Sequence, residues 1–174
     1  YVSVTDELLV SVVGSTVVVS IRDPEAGLVA MTNLVVPTHG LPVLEERARS
    51  SAHQYAKQLL SRLYQELLEQ GAQPSSLEVT LIGGVESDTT SVTPVHETLE
   101  VCRGFFSELG VQIVGEFSGS EQAKKVYSSL QEYCPHIRVL QDVGTTISLR
   151  EQRYTQQLQL EHLLGTRKTT MKFA

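Results

Sequence analysis

The sequence predicts one mixed α/β (α+β) domain, and three observations lead to that class. The 174 residues suffice for one compact domain with a sizeable core, and 41% of them are hydrophobic, as in typical globular proteins. Segments dense in Val and Ile alternate with segments whose leucines recur at helical spacing. The resulting order is three strands, helix, strand, helix and strand, followed by mostly extended segments. This order predicts sheets with helices packed on their faces.

The first three elements are predicted to be strands. Residues 7–23, ELLVSVVGSTVVVSIRD, indicate two buried strands separated by a bend at Gly14 and Ser15. The turn DPEAG, from Asp23 to Gly27, combines a capping aspartate, a proline of fixed φ and a glycine suited to positive φ. Residues 28–37 form a third strand that ends at a proline. We expect these strands to form an antiparallel hairpin arrangement.

Two helices follow, with a strand between them. The first is predicted from about Ser50 to Gln70, with Ser50 or Ser51 as N-cap and Gly71 as a left-handed C-terminal cap. Its apolar stripe consists of two i, i+4 rows: Tyr55, Leu59, Leu63, Leu67, and Ala56, Leu60, Tyr64, Leu68. The strand SLEVTLIGG alternates with a period of two.

The second helix is predicted to begin near Pro94 and to end before Gly110. Its buried side is predicted to comprise Val95, Leu99, Cys102, Phe106 and Leu109. The segment VQIVGEF then predicts another strand.

The pattern after Gly119 is ambiguous. EQAKKVYSSLQEY fits a helix, but KKVYSSL and HIRVLQDV equally fit a pair of strands around QEYCP. TTISLREQRY is predicted to be a strand. We therefore expect a domain over residues 1–154, followed by a C-terminal extension over 155–174 that can form a short amphipathic helix.

Composition and charge exclude several classes of partner. The net charge of −6 and the lack of clustered cations argue against nucleic-acid binding, and the short basic segment TRKTTMK is typical of a solvated tail. No apolar run approaches the roughly 20 residues of a membrane-spanning helix, so no membrane insertion is expected. Two cysteines and the absence of a signal-peptide pattern in YVSVTDE fit a cytoplasmic protein with free thiols.

Metal and cofactor sites are not expected from the spacing of candidate ligands. The five histidines have no HExxH or CxxC neighbours. The glycine pair in IGGVESD lacks the Gly-Lys-Ser/Thr of a phosphate-binding loop, which favours a tight turn or close packing at that point.

Both cysteines are interpreted as structural, although Cys134 leaves a second reading open. Cys102 lies on the apolar stripe of a predicted helix, where a free cysteine usually behaves as a small hydrophobic residue. Cys134 is followed by Pro135 and His136, so a nucleophile with a nearby base is conceivable there.

Thr16 follows the Gly-Ser bend, where backbone N–H groups could line an oxyanion pocket. A threonine hydroxyl needs a base to act as a nucleophile, and neither flanking strand contains a histidine. The candidate partner across the hairpin is Asn33, whose amide does not take up a proton at neutral pH. The residues thus suggest a catalytic corner without its base.

The segment VSVVGSTVVVSIRDPEAGLVAMTNLVVP resembles the signature hairpin of the CheD-type chemoreceptor glutamine deamidases. That family typically has Leu-Gly-Ser-Cys, a valine-rich strand, Asp-Pro, a glycine turn, and a strand with Met-x-His before Leu-Pro. LLEQGA, VTLIGGV and HETLEVCRGFFSELGVQIVGEFSGS extend the resemblance, which covers Tyr1 to about Leu149. It implies a sandwich-like core of mixed sheets flanked by helices.

In that family the cysteine after Gly-Ser attacks the glutamine carboxamide, a histidine across the hairpin is its base, and a threonine assists. The resemblance places Thr16 at the cysteine position, Asn33 at the histidine position and Val10 at the threonine position. A later glycine pair corresponds to Gly119 and Ser120, and Gln122 stands where an arginine is usual.

The loss of nucleophile and base together predicts a pseudoenzyme. The residues that make the bend and turn remain, namely Gly14, Ser15, Asp23, Pro24, Gly27 and Pro37, and the predicted binding positions are Gly14, Ser15, Gly119 and Ser120. The resemblance implies chemoreceptor cytoplasmic helices or a CheC-type phosphatase as partner. Two alternatives stay open: a weak amidohydrolase that uses Thr16 or Cys134, and a homo-oligomeric module whose tail swaps between chains.

Overall fold

The computed structural model describes residues 1–5, 7–34, 45–84, 94–119 and 122–141, together with positions 147, 149, 150 and 153. The predicted strand end at Pro37, the site position Ser120 and the extension over 155–174 lie outside these residues, as do the capping side chains expected of Ser50 and Ser51.

Eight strands, two α-helices and one short 3₁₀ turn are continuous elements of the described residues, which also include four helical positions between 147 and 153. In chain order the continuous elements are β1 (Val2–Ser3), β2 (Leu9–Val13), β3 (Val17–Asp23), β4 (Leu28–Leu34), α1 (Glu45–Glu69), the 3₁₀ turn Pro74–Ser76, β5 (Glu78–Gly83), α2 (Pro94–Glu108), β6 (Gln112–Phe117), β7 (Lys124–Ser128) and β8 (His136–Val139).

The elements form three layers. A five-stranded sheet has the order β1-β4-β3-β5-β6, with β5 and β6 parallel and the other pairs antiparallel. Side chains of α1 and α2 pack with one face of this sheet in the larger hydrophobic core. A three-stranded antiparallel sheet, β2-β7-β8, covers the other face through a smaller core that includes Val13, Val18 and Val126. The predicted α+β class with a sandwich-like core is therefore confirmed.

The β3–β4 hairpin forms as predicted, but β2 does not belong to it. β2 pairs with β7 in the smaller sheet, so the bend at residues 14–16 carries the chain from one sheet to the other. The prediction that β2 is fully buried was also wrong. Val10 and Val12 are 47% and 38% exposed whereas Val13 is buried, because Val13 points toward the core between the two sheets while Val10 and Val12 point to the opposite side of the smaller sheet.

β5 departs from its predicted pattern in the opposite direction. The sequence SLEVTLIGG suggested alternation between a buried and an exposed face, yet residues 79–83 are all buried. β5 lies between β3 and β6, with a hydrophobic core on each side of its sheet. A central strand of this kind buries both faces.

Both helices end in the same way, and glycine makes that ending possible. α1 begins at Glu45, five residues before the predicted start, and Gly71 follows it with a φ of 100°. The amides of Gly71 and Ala72 donate to the carbonyls of Leu68 and Leu67, which is the Schellman pattern. Gly110, with a φ of 67°, ends α2 by the corresponding pair of bonds.

The apolar stripes of the helices are largely confirmed. In α1, Tyr55, Leu59 and Leu68 are partly buried and the rest of the two predicted rows is buried: Ala56, Leu60, Leu63, Tyr64 and Leu67. In α2 the buried members are Val95, Leu99, Cys102 and Phe106. The exception is Leu109, which lies past the end of α2 and is 36% exposed.

The ambiguous C-terminal part resolves as strands first and helix afterwards. β7 and β8 pair antiparallel, with Val126 opposite Ile137, so the strand alternative for KKVYSSL and HIRVLQDV was right. The strand predicted for TTISLREQRY was wrong at the described positions, because Ile147, Leu149, Arg150 and Arg153 are helical. Leu, Arg, Glu and Gln in this segment all favour helix.

Asp23 fixes the β3–β4 turn and joins it to the end of α1. Its Oδ1 accepts hydrogen bonds from the amides of Glu25 and Ala26, at 3.0 and 2.9 Å. Its Oδ2 accepts from the amide of Gln73 and the hydroxyl of Ser76, at 3.0 and 2.7 Å. Burial alone would raise the pKa of this carboxyl, but the four hydrogen bonds outweigh burial and lower it below its ordinary value.

Candidate functional site

The bend between β2 and β3 is built against the glycine pair that ends β5. The amide of Gly84 donates to the carbonyl oxygen of Thr16 at 3.0 Å. A Cβ on Gly84 would lie 1.7 Å from the carbonyl oxygen of Gly14, so no larger residue fits. A Cβ on Gly83 would lie 3.0 Å from Cγ1 of Val95 in α2. The pair in IGGVESD therefore serves close packing, which is the reading that the sequence favoured.

Thr16 is buried at this bend, with 5% of its surface exposed. It directly precedes β3, two positions before Val18, and Val18 is the register partner of Asn33. Thr16 and Asn33 therefore lie at the same end of the β3–β4 hairpin, opposite the turn that Asp23 caps. Gly14, Ser15 and Thr16 each have interaction partners, so this corner is a packed junction between the two sheets.

Asn33 connects the hairpin to the smaller sheet. Its Nδ2 donates to the carbonyl oxygen of Val12 in β2 at 3.1 Å, while its Oδ1 is buried and has no hydrogen-bond partner among the described residues. The amide nitrogen of Asn33 thus supplies a donor to the sheet junction. The Asn33 side chain has no basic atom that could accept a proton from a hydroxyl group.

Val10 lies apart from the buried corner. It is in the middle of β2, opposite Tyr127, and its side chain belongs to the exposed set of that strand. The structure therefore brings Thr16 and Asn33 to one end of the hairpin but places Val10 on the outer surface of the smaller sheet. Gly119, a predicted binding position, has a φ of 77° shortly after β6.

A groove of about 830 Å³ lies between the ends of β6 and β8. Its lining comes from three segments: Glu116, Phe117 and Ser118, then Lys124, then residues 132–137. Arg22 holds the last of these segments, since its guanidinium donates to the carbonyl oxygen of Glu132 at 2.7 Å and lies 4.7 Å from the ring centre of Tyr133.

Lys124 is the feature of this groove that the sequence did not reveal. It is only 5% exposed, and its Nζ donates to the carbonyl oxygen of Gly83 at 2.6 Å. It lies on the inner side of β7 together with Val126 and Ser128. The strand alternation of KKVYS, once β7 was chosen over a helix, would have placed it inside.

The two cysteines differ strongly in environment. Cys102 is completely buried in the larger core, and burial raises the pKa of its thiol to about 12. Its predicted structural role fits this inert setting. Cys134 is exposed and lines the groove together with His136, so sequence neighbours do share one surface feature there.

Metal-ligating side chains do not cluster in the part of the chain that the structure describes. There no three His, Cys, Asp or Glu side chains come together to hold a metal ion, and the expectation of a metal-free protein stays a prediction. None of the helices described is long and apolar enough to cross a membrane.

Comparison with known proteins identifies the family. The sequence profile described as "CheD chemotactic sensory transduction" matches residues 41–138, which is more than half of the chain. The chain belongs to the CheD family. The matched residues begin after the hairpin that carries Thr16 and Asn33, so the family assignment stands independently of those two positions.

Several similar proteins are named "Probable chemoreceptor glutamine deamidase CheD". One from Rhizobium meliloti (strain 1021) is 28% identical over 130 residues, which are 75% of this chain and 67% of the relative. One from Methylobacillus flagellatus is 26% identical over 168 residues, or 95% of this chain and 82% of the relative. One from Rhizobium etli (strain CIAT 652) is 27% identical over 128 residues, or 74% of this chain and 65% of the relative. The chain thus spans about two thirds of the length of the rhizobial CheD relatives.

Proposed function

We propose that this CheD-family protein is non-catalytic and acts by binding other proteins in chemotaxis or motility signalling in the cytoplasm. Its proposed partners are chemoreceptor cytoplasmic helices or a CheC-type phosphatase. The observation that carries the proposal is the pair at the open end of the hairpin. Thr16 is buried there, at the position where the family resemblance implies a cysteine. Asn33 occupies the position where it implies a histidine, and its Nδ2 donates a hydrogen bond to the carbonyl oxygen of Val12.

The chemistry of these two side chains supports the proposal. Hydrolysis of a glutamine carboxamide through a covalent intermediate needs a nucleophile and a group that accepts its proton. The Thr16 hydroxyl needs a base to remove its proton before it can attack, and Asn33 has no basic nitrogen to act as that base. Loss of both members of such a unit costs several orders of magnitude in rate.

The corner has an ordered scaffold. Gly84 packs on Gly14, Asp23 caps the turn at the other end of the hairpin, and Asn33 links the two sheets. Recognition and chemistry are separable properties of a fold, so a binding surface can persist after the reactive groups are gone. We therefore assign the retained function to binding.

The alternative enzyme reading rests on the groove. Cys134 is exposed there beside His136 and could supply the thiol that the hairpin lacks. A thiol attack on an amide carbon would release ammonia and leave a thioester for water to hydrolyse. The other alternative, a homo-oligomer that swaps residues 155–174, concerns a segment outside the described residues.

A deamidation assay on purified chemoreceptor cytoplasmic fragments tests the catalytic half of the proposal. Mass spectrometry of glutamine-containing peptides should show no protein-dependent conversion to glutamate with the unaltered chain. The same null result is expected for Thr16→Ala and Cys134→Ala. Turnover that disappears in either variant would contradict the non-catalytic assignment and would name the nucleophile.

A restored variant makes the null result interpretable. Thr16→Cys with Asn33→His, and the same pair with Val10→Thr, reintroduce the groups that the resemblance implies. Measurable deamidation by either variant would support a degenerate active site at this corner.

The binding half of the proposal is tested by capture of the same receptor fragments, and of a CheC-type phosphatase, on immobilised protein. Capture should be unchanged by Thr16→Ala. If neither the receptor fragments nor the phosphatase are retained, the binding proposal is wrong.

A further inference from the structure

The outward side of the smaller sheet forms a defined surface, which we call the outer face. The strand register aligns its residues in two rows: Val12, Lys125, Arg138, and Val10, Tyr127, His136. Each row crosses β2, β7 and β8 in that order.

Burial distinguishes this side from its opposite. The alternate residues Val13, Val126 and Ser128 are buried between the two sheets. In contrast Val10, Val12, His136 and Arg138 are exposed, and Lys125 and Tyr127 are partly exposed. The outer face is therefore a solvent-facing sheet surface, and Leu8, which is 58% exposed, precedes β2 in phase with Val10 and Val12.

The outer face is apolar along one edge and cationic across the rest. The apolar edge consists of Val10 and Val12 on β2, which is an edge strand, and of Leu8 just before it. Exposed β-branched residues on an edge strand invite association unless a partner covers them. Such a row of three on one strand is unusual on a surface that otherwise follows the rule of polar residues outside.

Cationic groups fill the β7 and β8 side of the outer face. Lys125 lies 5.2 Å from the ring centre of Tyr127, and the rings of Tyr127 and His136 are 5.9 Å apart. Neither Lys125 nor Arg138 has an ion-pair partner within the described part of the chain. None of the six positions in the two rows is acidic, although the chain as a whole has a net charge of −6.

We propose that the outer face binds an amphipathic helix of a partner protein whose apolar stripe is flanked by Asp or Glu residues. Alternate residues along a strand are about 7 Å apart, and the residues of one helix stripe recur every 5–6 Å, so the β2 row can receive such a stripe. The flanking carboxylates would then lie over Lys125 and Arg138, where charge complementarity sets orientation and association rate. This inference deepens the proposed binding function and rests on it.

The first test uses a defined probe. It is a synthetic helical peptide of about 20 residues with leucines at i, i+3, i+4 and i+7 spacing and glutamates beside them, compared with a twin that has lysines in place of the glutamates. The acidic peptide should shift backbone NMR signals of β2, β7 and β8, and the lysine twin should leave them unchanged. Absence of any shift with the acidic peptide, or shifts confined to other strands, would overturn the inference.

Charge-reversed variants supply the quantitative test. Lys125→Glu with Arg138→Glu should lower the affinity for the acidic peptide at least about tenfold, and Lys125→Gln with Arg138→Gln should lower it less. The control reverses two cations on α1, Lys57→Glu with Arg62→Glu, which changes the net charge equally on the helix layer. Because Lys57 gives up an exposed ion pair with Glu108, circular dichroism must show that this variant is folded. The control should bind normally. If the control lowers the affinity for the peptide equally, the effect is due to net charge, and the outer face is not the binding site.

Two comparisons separate this inference from the proposed function. If receptor fragments or a CheC-type phosphatase are captured equally by the reversed variant and the unaltered chain, the outer-face inference fails while the binding function stands. If the peptide binds the outer face but no receptor or phosphatase is captured, the proposed function fails instead. Tighter binding of a single-stranded oligonucleotide than of the acidic peptide at the same salt would also reject the inference.

Discussion

Gly84 and Gly14 approach each other so closely that neither sheet could keep its position with a larger residue at 84. A Cβ on Gly84 would lie 1.7 Å from the carbonyl oxygen of Gly14 and 3.1 Å from that of Thr16. The Gly84 amide meanwhile donates to the Thr16 carbonyl at 3.0 Å. The end of β5 thus supports the bend where the chain leaves the smaller sheet for the larger one.

Gly84→Ala is expected to destabilise the protein strongly. The added methyl would collide with backbone atoms, which cannot move aside as a flexible side chain can, so the bend at Gly14 must shift. We expect a loss of roughly 3 kcal/mol in the free energy of unfolding, at the upper end of the usual range for overpacked sites because the clash is with backbone atoms. Urea denaturation followed by circular dichroism measures it.

Gly104→Ala is the matched control for this substitution. Gly104 lies within α2, and no atom lies within 4 Å of a Cβ placed there. Alanine favours a helix interior over glycine by about 1 kcal/mol, so this variant should be more stable than the unaltered chain. Similar losses in both variants would show that the contact between Gly84 and Gly14 does not determine the effect.

Asp23 is expected to make stability depend on pH in the acidic range. Four hydrogen bonds lower the pKa of its carboxyl below the ordinary value of 3.8, against the effect of burial. A group with a lowered folded-state pKa contributes stability above its unfolded pKa and loses that contribution as the pH falls through the folded pKa. Asp23→Ala should cost roughly 3 kcal/mol at pH 7, since three backbone amides and the Ser76 hydroxyl lose a charged acceptor. The difference between variant and unaltered chain should shrink as the pH falls below about 4.

Glu25→Gln serves as the comparison for Asp23→Ala. It removes one negative charge from the same turn, but the Glu25 side chain is exposed and its amide, not its carboxylate, takes part in the turn. We expect little change in the unfolding free energy at either pH. A pH-independent cost of Asp23→Ala would mean that packing, and not the ionised carboxylate, stabilises this turn.

The sequence predicted those features that depend on local pattern. The turn at Asp23, the apolar rows of both helices and the glycine caps at Gly71 and Gly110 each arise from residues a few positions apart. The bend at Gly14 and Ser15 was predicted for the same reason. What lies on the two sides of that bend was not, since the partner of β2 is β7, more than a hundred residues further along the chain.

The same physical limit applies to the candidate site. The residue types of Thr16 and Asn33 indicated a missing base, and their location at one end of the hairpin follows from the β3–β4 register. The burial of Lys124 beneath Gly83 and the exposure of Val10 depend on how the two sheets stack. Alternation along β2 and β7 would have reported both, but only once their pairing was known.

The two thiols are expected to differ sharply in reactivity. Cys102 is buried with a pKa raised to about 12, whereas Cys134 is exposed. Because the thiolate is the reactive form, brief treatment of the folded protein with iodoacetamide near pH 8 should alkylate Cys134 alone. Peptide mass spectrometry identifies the site, and denatured protein should be labelled at both positions. Labelling of Cys102 at a rate similar to that of Cys134 in folded protein would contradict the burial of the Cys102 side chain.

A double-mutant cycle on Ser20 and Ser128 should reveal a hydrogen bond that joins the two sheets. Ser20 lies on β3 and Ser128 on β7, both are buried, and their hydroxyl oxygens are 2.8 Å apart. Ser20→Ala leaves the Ser128 hydroxyl without its partner, and the reverse holds for Ser128→Ala, so each single change should cost about 1–2 kcal/mol. The double variant should cost clearly less than the sum, because no unpaired hydroxyl then remains between the sheets. Additive losses in urea denaturation would show that the two hydroxyls do not interact, so that the contact between the sheets depends on apolar packing and on the hydrogen bonds of Asn33 and Lys124.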